Sequence, residues 1–402
     1  MVENNSFYRI SLEINPKKQF ISVDMTLSYP LLQGEVNRIS FMLNKNLKIK
    51  EINGAKVSDT NFDCESPQFL PEAGELIVEL SEVASEGEVI EMKLSYEGNL
   101  GIFQPYGDNR LTEEWIELGL YFPWFPINLE QINNSNITSS VVVKIDKEYK
   151  VFGMGTTKQE DNYWHIKNDT PSNDIIIMGS KNIKEDVIEK DGEKIRIFYD
   201  INNAIISSHG LWVLEKYKQW FGPTKDGDIS IVFAPGGAYA RRNFIVLRNN
   251  NLDDNNYNEI DYFVTILGHE FAHLWWAKSP TDSWESWLDE GFAEYSALRV
   301  LRERFGEPEF QKALEIRKRR IINTPPIKNL DMSFDQVKTV TYDKGCILLH
   351  TLESKVGEKI FLEILRLTYK NNINTTEKFL NIVSELAGIE VSNEFSELID
   401  RY

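Results

Sequence analysis

Cysteine is nearly absent from this 402-residue chain: Cys64 and Cys346 are the only two, and they stand far apart. Two such residues build no disulfide framework, so a reducing, cytoplasmic setting is the expectation. Basic residues are in deficit as well, 44 against 62 acidic, for a net charge of −18. That sign argues against nucleic acid and anionic membranes as partners and would attract cationic ones. No stretch approaches the roughly eighteen uninterrupted apolar residues of a transmembrane helix. The start, Met1 to Ser6, has neither the basic segment nor the apolar core of a secretory signal. There is no internal repeat, and the Asn-rich run Asn249 to Asn256 reads as a polar loop.

What is present suffices for two to three domains with proper cores, since 42% of the residues are apolar. The first half has the texture of β structure. Runs over Phe7–Ile14, Phe20–Tyr29, Arg38–Phe41, Leu76–Leu80, Val89–Tyr96, Ser140–Ile145, Trp164–Ile166 and Asp174–Met178 are separated by Gly, Pro, Asn and Asp turns. After Lys194–Tyr199, itself strand-like, helical spacing dominates from Ile205 to Phe221 and from Ile260 onward. Strands interrupt it near Ile229–Phe233 and Phe244–Leu247. The expected fold is α+β. An antiparallel β-sandwich or saddle domain over 1–185 precedes a mainly helical domain with a small mixed sheet over 186–402.

Histidine is scarce too, with five in all, yet two of them fall in His269-Glu270-Phe271-Ala272-His273. Two imidazoles four apart share a helix face and sit at the bite that one tetrahedral zinc ion needs. Glu290, seventeen residues beyond His273 in Asp289-Glu290-Gly291-Phe292-Ala293, would be a third ligand. Three protein ligands leave one position for a water that the metal makes acidic, which marks a catalytic site and metal-assisted hydrolysis. Glu270 is placed to take that water's proton. Apolar residues from Ile260 to Gly268 lead into the motif as a buried helix, and Glu290 opens a second, amphipathic one. Glu294, one turn beyond Glu290, is the natural carboxylate to receive the second N–H of a ligating imidazole; a solvated helix charge is the competing reading. Asp289 is a weaker candidate for the same role and reads chiefly as a helix cap. Trp275, Trp276, Trp284 and Trp287 flank these helices, mostly as core, with one or two left as candidates for a pocket wall.

These motifs, with Tyr342-Asp343-Lys344-Gly345, resemble the aminopeptidase N-like gluzincin metallopeptidases, whose signatures are H-E-x-x-H, N-E-G-F-A and Y-x-K-G. The resemblance implies an N-terminal β domain followed by a thermolysin-like catalytic domain holding one zinc per chain. His269, His273 and Glu290 would be its ligands, and Tyr342 a donor to the oxyanion of the transition state. Two departures stand out. The spacer between His273 and Glu290 is two residues shorter than is common, within a segment that reads as a loop. The G-x-M-E-N segment of the family, whose Glu grips a peptide's free amine, falls on Gly237-Ala238-Tyr239-Ala240-Arg241. Ala240 therefore stands in place of that Glu, with Arg241 beside it. Gly236, Gly237, Ala238, Tyr239 and Arg241 are candidate substrate contacts, and an edge strand near Phe244–Leu247 could hold an extended peptide. Glu114, ahead of Tyr121-Phe122-Pro123, is a second candidate for the amine.

The expected function is hydrolysis of peptide bonds by a zinc metallopeptidase, with aminopeptidase action on short peptides as the leading version. An endopeptidase comes second, because of Ala240. A binding protein that kept the fold without turnover comes third.

Overall fold

The computed structural model describes residues 4–101, 110–190, 193–200, 204–224, 228–248 and 267–401. The chain divides into two compact units, Met1–Lys184 and Glu185–Tyr402.

The first unit is built from β1 (Ser6–Asn15), β2 (Phe20–Pro30), β3 (Glu35–Asn44), β4 (Leu47–Asn53), β5 (Val57–Asp63), β6 (Ala73–Ser85), β7 (Val89–Asn99), β8 (Ile116–Leu118), β9 (Ile137–Lys144), β10 (Lys150–Gly153), β11 (Thr156–Glu160), β12 (Tyr163–Ser172) and β13 (Ile177–Ser180). Seven of these form one sheet in the order β11-β12-β9-β1-β2-β7-β4, and two three-stranded sheets, β3-β6-β5 and β10-β13-β8, accompany it. Pairing is antiparallel throughout the large sheet except where β1 runs parallel to β9. Period-two alternation is the cause: in β1 Tyr8, Ile10, Leu12 and Ile14 are buried while Arg9, Ser11 and Glu13 face outward. The last expected strand, over Asp174–Met178, lies instead at Ile177–Ser180, because Asp174 and Ile175 remain in the preceding buried loop.

The second unit opens on a five-stranded sheet of β14 (Lys184–Lys190), β15 (Glu193–Tyr199), β16 (Ile229–Ala234), β17 (Tyr239–Arg241) and β18 (Phe244–Arg248), ordered β14-β15-β16-β18-β17. β15, β16 and β18 run parallel and β17 returns antiparallel on β18. The sheet is therefore mixed, as expected. The edge differs: Phe244–Leu247 lies in an interior strand flanked by β16 and β17, and the outer edge belongs to Tyr239–Arg241. All six residues of β16 are buried, which suits a strand covered on both faces.

The helices are α2 (Ala204–Phe221), following the short α1 (Leu129–Asn134) of the first unit, then α3 (His269–Ala272), α4 (Trp287–Phe305), α5 (Glu307–Arg320), α6 (Gly345–Val356), α7 (Glu358–Lys370), α8 (Thr376–Ala387) and α9 (Ile389–Arg401). A π-helical segment, Thr339–Lys344, runs directly into α6. The helix expected to open at Glu290 begins at Trp287, out of a 3-10 turn over Trp284–Ser286. It is also not amphipathic: every residue from Gly291 to Leu301 is buried. That makes α4 the central rod of the unit, with α3, α5 and α6 packed around it. The segment 260–266, expected to lead into the histidine motif as a helix, lies outside the described residues, as does the Asn-rich run 249–256. No helix among the described residues is long and apolar enough to cross a membrane.

Candidate active site

Helix α3 is only four residues long and is entered through a π-helical turn at Leu267–Gly268. Even so, it spans the separation that matters, placing His269 at its first residue and His273 just past its last. Tyr217 on α2 donates its O–H to the Gly268 carbonyl at 2.7 Å and so pins the entry to this turn.

Each imidazole is oriented by the partner of its Nδ1. His273 Nδ1 lies 2.7 Å from the Trp276 carbonyl oxygen, and His269 Nδ1 lies 3.0 Å from Glu294 Oε2. Both partners are acceptors, so in each neutral ring Nδ1 carries the proton and Nε2 carries a lone pair. The two Nε2 atoms then face one another at 3.2 Å, and Glu290 Oε2 stands 3.3 Å from the first and 3.5 Å from the second. With both rings neutral, three acceptors thus converge on one point with no donor among them. Glu290 Oε2 is moreover buried without a hydrogen-bond partner. A buried, unpaired carboxylate oxygen is costly unless a cation satisfies it.

The separations themselves identify the geometry of that cation. Ligands held at about 2.0–2.1 Å from a tetrahedral ion are about 3.3 Å from each other, which is the spacing of these three atoms. His269, His273 and Glu290 are accordingly a set that could hold a metal ion. The electrostatics agree. Burial opposes charge on the rings, yet the carboxylates of Glu290 and Glu294 raise His269 well above the ordinary imidazole range, and Glu290 raises His273. Burial would lift Glu290 too, but the two histidines hold it far below the usual carboxylate range. The pocket demands positive charge.

Glu270, between the histidines, is buried, and that burial raises its pKa against the pull of His269 and His273. Arg241 is buried as well and acts on Glu270 in the same direction as the histidines. Its guanidinium lies 4.9 Å from the centre of the Tyr239 ring. Ala240 is half-buried on the same edge strand, packed on the core, while Gly236, Gly237 and Ala238 form the half-buried connection from β16 to β17. Glu114 lies in the first unit, exposed in the turn before β8.

Tyr342, in the π-helical segment, stacks its ring parallel to that of His269, with 5.3 Å between centroids and 5° between planes. Two glycines bring this segment to the candidate metal ligands. A Cβ on Gly291 would lie 2.9 Å from Gly345 Cα and 3.1 Å from the Thr341 carbonyl oxygen. One on Gly345 would lie 3.0 Å from Gly291 Cα. The glycine of one motif therefore packs backbone to backbone on the glycine of the other, which only hydrogen side chains permit. Lys344 then donates from Nζ to the carbonyls of Thr324 at 3.1 Å and Pro325 at 2.7 Å, fixing the turn after α5.

Asp289 does other work than its sequence reading, the tryptophans are core as mostly expected, and Arg317 enters only with the structure. Asp289 does not cap its own helix. Its oxygens accept from the backbone N–H groups of Lys278 at 3.0 Å and Ser279 at 2.9 Å, tying down the loop before α4, and burial pushes its carboxyl up to about 6. Trp276 and Trp287 are core residues whose indole N–H groups donate to Ser296 and Thr376, and Trp275 is equally buried. Arg317 carried no local signal, being one of four consecutive cationic residues closing α5, yet its Nε donates to Glu294 Oε1 at 2.9 Å.

Residues 233–402 match the Peptidase family M1 domain. The chain is 31% identical to endoplasmic reticulum aminopeptidase 2 of Bos taurus over 130 residues, covering 28% of this chain and 14% of that protein. It is 27% identical to probable aminopeptidase 1 of Sulfurisphaera tokodaii over 156 residues, 34% of this chain and 19% of that one. The chain thus spans only part of the curated relatives it matches. A solved M1 zinc metallopeptidase from Deinococcus radiodurans superposes with a TM-score of 0.70 at 19% identity, over 99% of this chain and 94% of that one. A two-domain M1 zinc metallopeptidase mutant bound to L-tryptophan gives a TM-score of 0.72 at 18% identity, with the same coverage. At that identity the likeness concerns the fold.

Proposed function

Since residues 233–402 belong to peptidase family M1, we propose that this chain is a zinc-dependent peptidase, with aminopeptidase action on short peptides as its leading form. Its two domains read as an N-terminal β domain, 1–185, followed by a thermolysin-like catalytic domain, 186–402. The observation that carries the reading is the convergence of two imidazole Nε2 atoms and one carboxylate oxygen at tetrahedral spacing, the oxygen buried without a hydrogen-bond partner.

When bound, one zinc ion held by His269, His273 and Glu290 supplies a Lewis acid for the scissile carbonyl and for a water molecule. Glu270 accepts the proton of the attacking water and returns it to the leaving amine. Burial that raises its pKa brings it nearer the value such a shuttle needs. Tyr342 donates its O–H to the oxyanion as charge develops on the substrate. Glu294 keeps His269 in the tautomer that offers Nε2. The outer strand β17, with Gly236, Gly237 and Ala238 leading into Tyr239 and Arg241, takes an extended peptide by main-chain hydrogen bonds. Glu114 is the candidate for contact with the peptide's amine. The sparse cysteine supports a reducing, cytoplasmic setting.

A second reading is favoured by one residue. Ala240 offers β17 a methyl group where an amine-gripping carboxylate would stand, and the neighbouring Arg241 repels ammonium, so an endopeptidase acting on internal segments is the alternative. Cleavage of matched free and N-acetylated peptides, with and without a chelator, separates the readings. Chelator-sensitive cleavage lost on acetylation supports the aminopeptidase, and equal rates support the endopeptidase. A chain that binds zinc stoichiometrically and cleaves neither is a binding protein of this fold.

A further inference from the structure

Around the candidate metal site runs a closed circuit of side chains. Glu294 divides its two oxygens: Oε2 meets His269 Nδ1 at 3.0 Å, and Oε1 accepts from Arg317, at 2.9 Å from Nε and also from Nη2. Arg317 Nη1 donates to the Ala313 carbonyl at 3.0 Å, which holds the guanidinium against its own helix. From there Arg317 Nε lies 3.8 Å from Asp343 Oδ1, and Asp343 Oδ2 lies 3.7 Å from Arg320 Nη1. Asp343 adjoins Tyr342, whose ring closes the circuit by lying flat on His269. Glu294, Arg317 and Asp343 are all buried.

From this we infer that Arg317 is a positioning residue, setting the His269 imidazole and the Tyr342 segment in one register. The inference rests on the peptidase reading above, because it gives that register a purpose. The physical argument is one of charge and reach. Two buried carboxylates on different elements face one another, and a single planar cation lies close to both. With Arg317 replaced by a group that reaches only one of them, Glu294 and Asp343 repel, so either the imidazole or the tyrosine segment loses its anchor. A lysine is such a group: it keeps the charge but offers a point in place of a fork.

The test measures metal binding and catalysis separately on full-length protein. Zinc affinity is taken from competition with a chromophoric chelator, ligand geometry from the visible absorption of the cobalt(II)-substituted protein, and kcat and KM from cleavage of a free peptide. Arg317→Lys is expected to weaken zinc binding about tenfold to a hundredfold, alter the cobalt bands and lower kcat with KM little changed. Asp343→Asn leaves the Arg317–Glu294 pair in place, so it should lower kcat while zinc affinity and the cobalt bands stay as in the wild type. A folded Arg317→Lys protein with wild-type affinity, bands and kcat overturns the inference, and so does a loss confined to thermal stability. Should Arg317→Lys fail to fold, Asp343→Asn decides: unchanged kcat, or weakened zinc binding, overturns it. Wild-type protein that binds zinc and cleaves peptides while the variants match it would defeat this inference alone. Wild-type protein that takes up no zinc would defeat the proposed function and this inference together.

Discussion

Helix α4 carries two buried ion networks, and they end differently. One runs from Glu294 through Arg317 to Asp343 in one direction and to His269 in the other. The second gathers Tyr295, Arg299 and Arg302 on Glu353 of α6, with His350 Nδ1 3.2 Å from the Tyr295 hydroxyl and Glu358 2.8 Å from Arg299 Nη2. Both oxygens of Glu353 meet donors, and the Arg299 guanidinium lies 4.9 Å from the centre of the Trp220 ring. The second network therefore leaves no acceptor unmet, and its one buried orphan is a donor, Arg299 Nε; in that sense it is closed. The first ends on an imidazole whose far nitrogen faces another lone pair and an unpaired carboxylate oxygen. Burial of charge is common to both and distinguishes neither. What marks the functional end is an excess of acceptors that no side chain neutralises.

The sharpest way to break the comparison is to remove a ligand at the open end. His269→Ala or His273→Ala should abolish stoichiometric zinc uptake and lower kcat/KM by roughly three orders of magnitude or more, since several kcal/mol of transition-state stabilisation leaves with the metal. Retained activity in either variant, measured beside metal content, would refute the site.

At the closed end the same kind of truncation should cost stability and not catalysis. Glu353→Ala leaves Arg299 buried without its carboxylate and should destabilise the fold by about 3–5 kcal/mol. Urea unfolding measures this, and turnover per folded molecule should hold. A turnover loss exceeding the unfolded fraction would show that the two networks are coupled.

Between these lies the glycine crossing. Gly291→Ala forces a Cβ toward Gly345 Cα, so α4 and the π-helical segment must separate. A loss of about 1–3 kcal/mol is expected, as for other overpacked cores. Because the same crossing carries Tyr342 to His269, kcat should fall as well. Wild-type kcat in a destabilised Gly291→Ala protein would detach Tyr342 from the chemistry.

The smallest effect sharpens the closed network through pH. Burial pushes the Glu353 carboxyl up, but Arg299 outweighs it and holds the group below its ordinary range. A carboxylate depressed in the folded state contributes stability in full above the unfolded value near ~4.3, and loses it as pH falls through the lower folded value. The stability gap between wild type and Glu353→Gln should therefore narrow below about pH 4. A gap that stays constant down to pH 3 in urea titrations would mean that Arg299 does not set this titration.

Strands and helices differed in how far they could be read. β1, β2 and β7 show clean alternation because one face of each is buried, and they stand where the pattern placed them. β4 and β11, the two edges of the large sheet, and β5, an edge of a smaller one, left little trace. Thr-Thr-Lys-Gln-Glu and Val-Ser-Asp-Thr-Asn-Phe-Asp are polar on most positions, as exposed edges must be, so no apolar period survives in them. α4 was read as starting late because its first turn, around Trp287 and Leu288, looks from sequence like the end of a loop. Its all-round burial was invisible, since a charge such as Arg299 gives no sign in the sequence that buried partners will meet it.

Taken by itself, the sequence determined the parts of the site that depend on helical spacing: the two imidazoles four residues apart with Glu270 between them, and Glu294 one turn beyond Glu290. Such relations are local, and a chain that forms the helix has no freedom to alter them. Only the tertiary structure decided which tautomer each ring adopts, through a carbonyl of Trp276 and a carboxylate of Glu294. It also decided that two distant glycines touch, that Tyr239–Arg241 is the outer strand, and that Arg317 lies close to both Glu294 and Asp343. Those relations depend on how helices cross and sheets order, and packing of whole surfaces sets that, with no signature in the spacing of neighbouring residues.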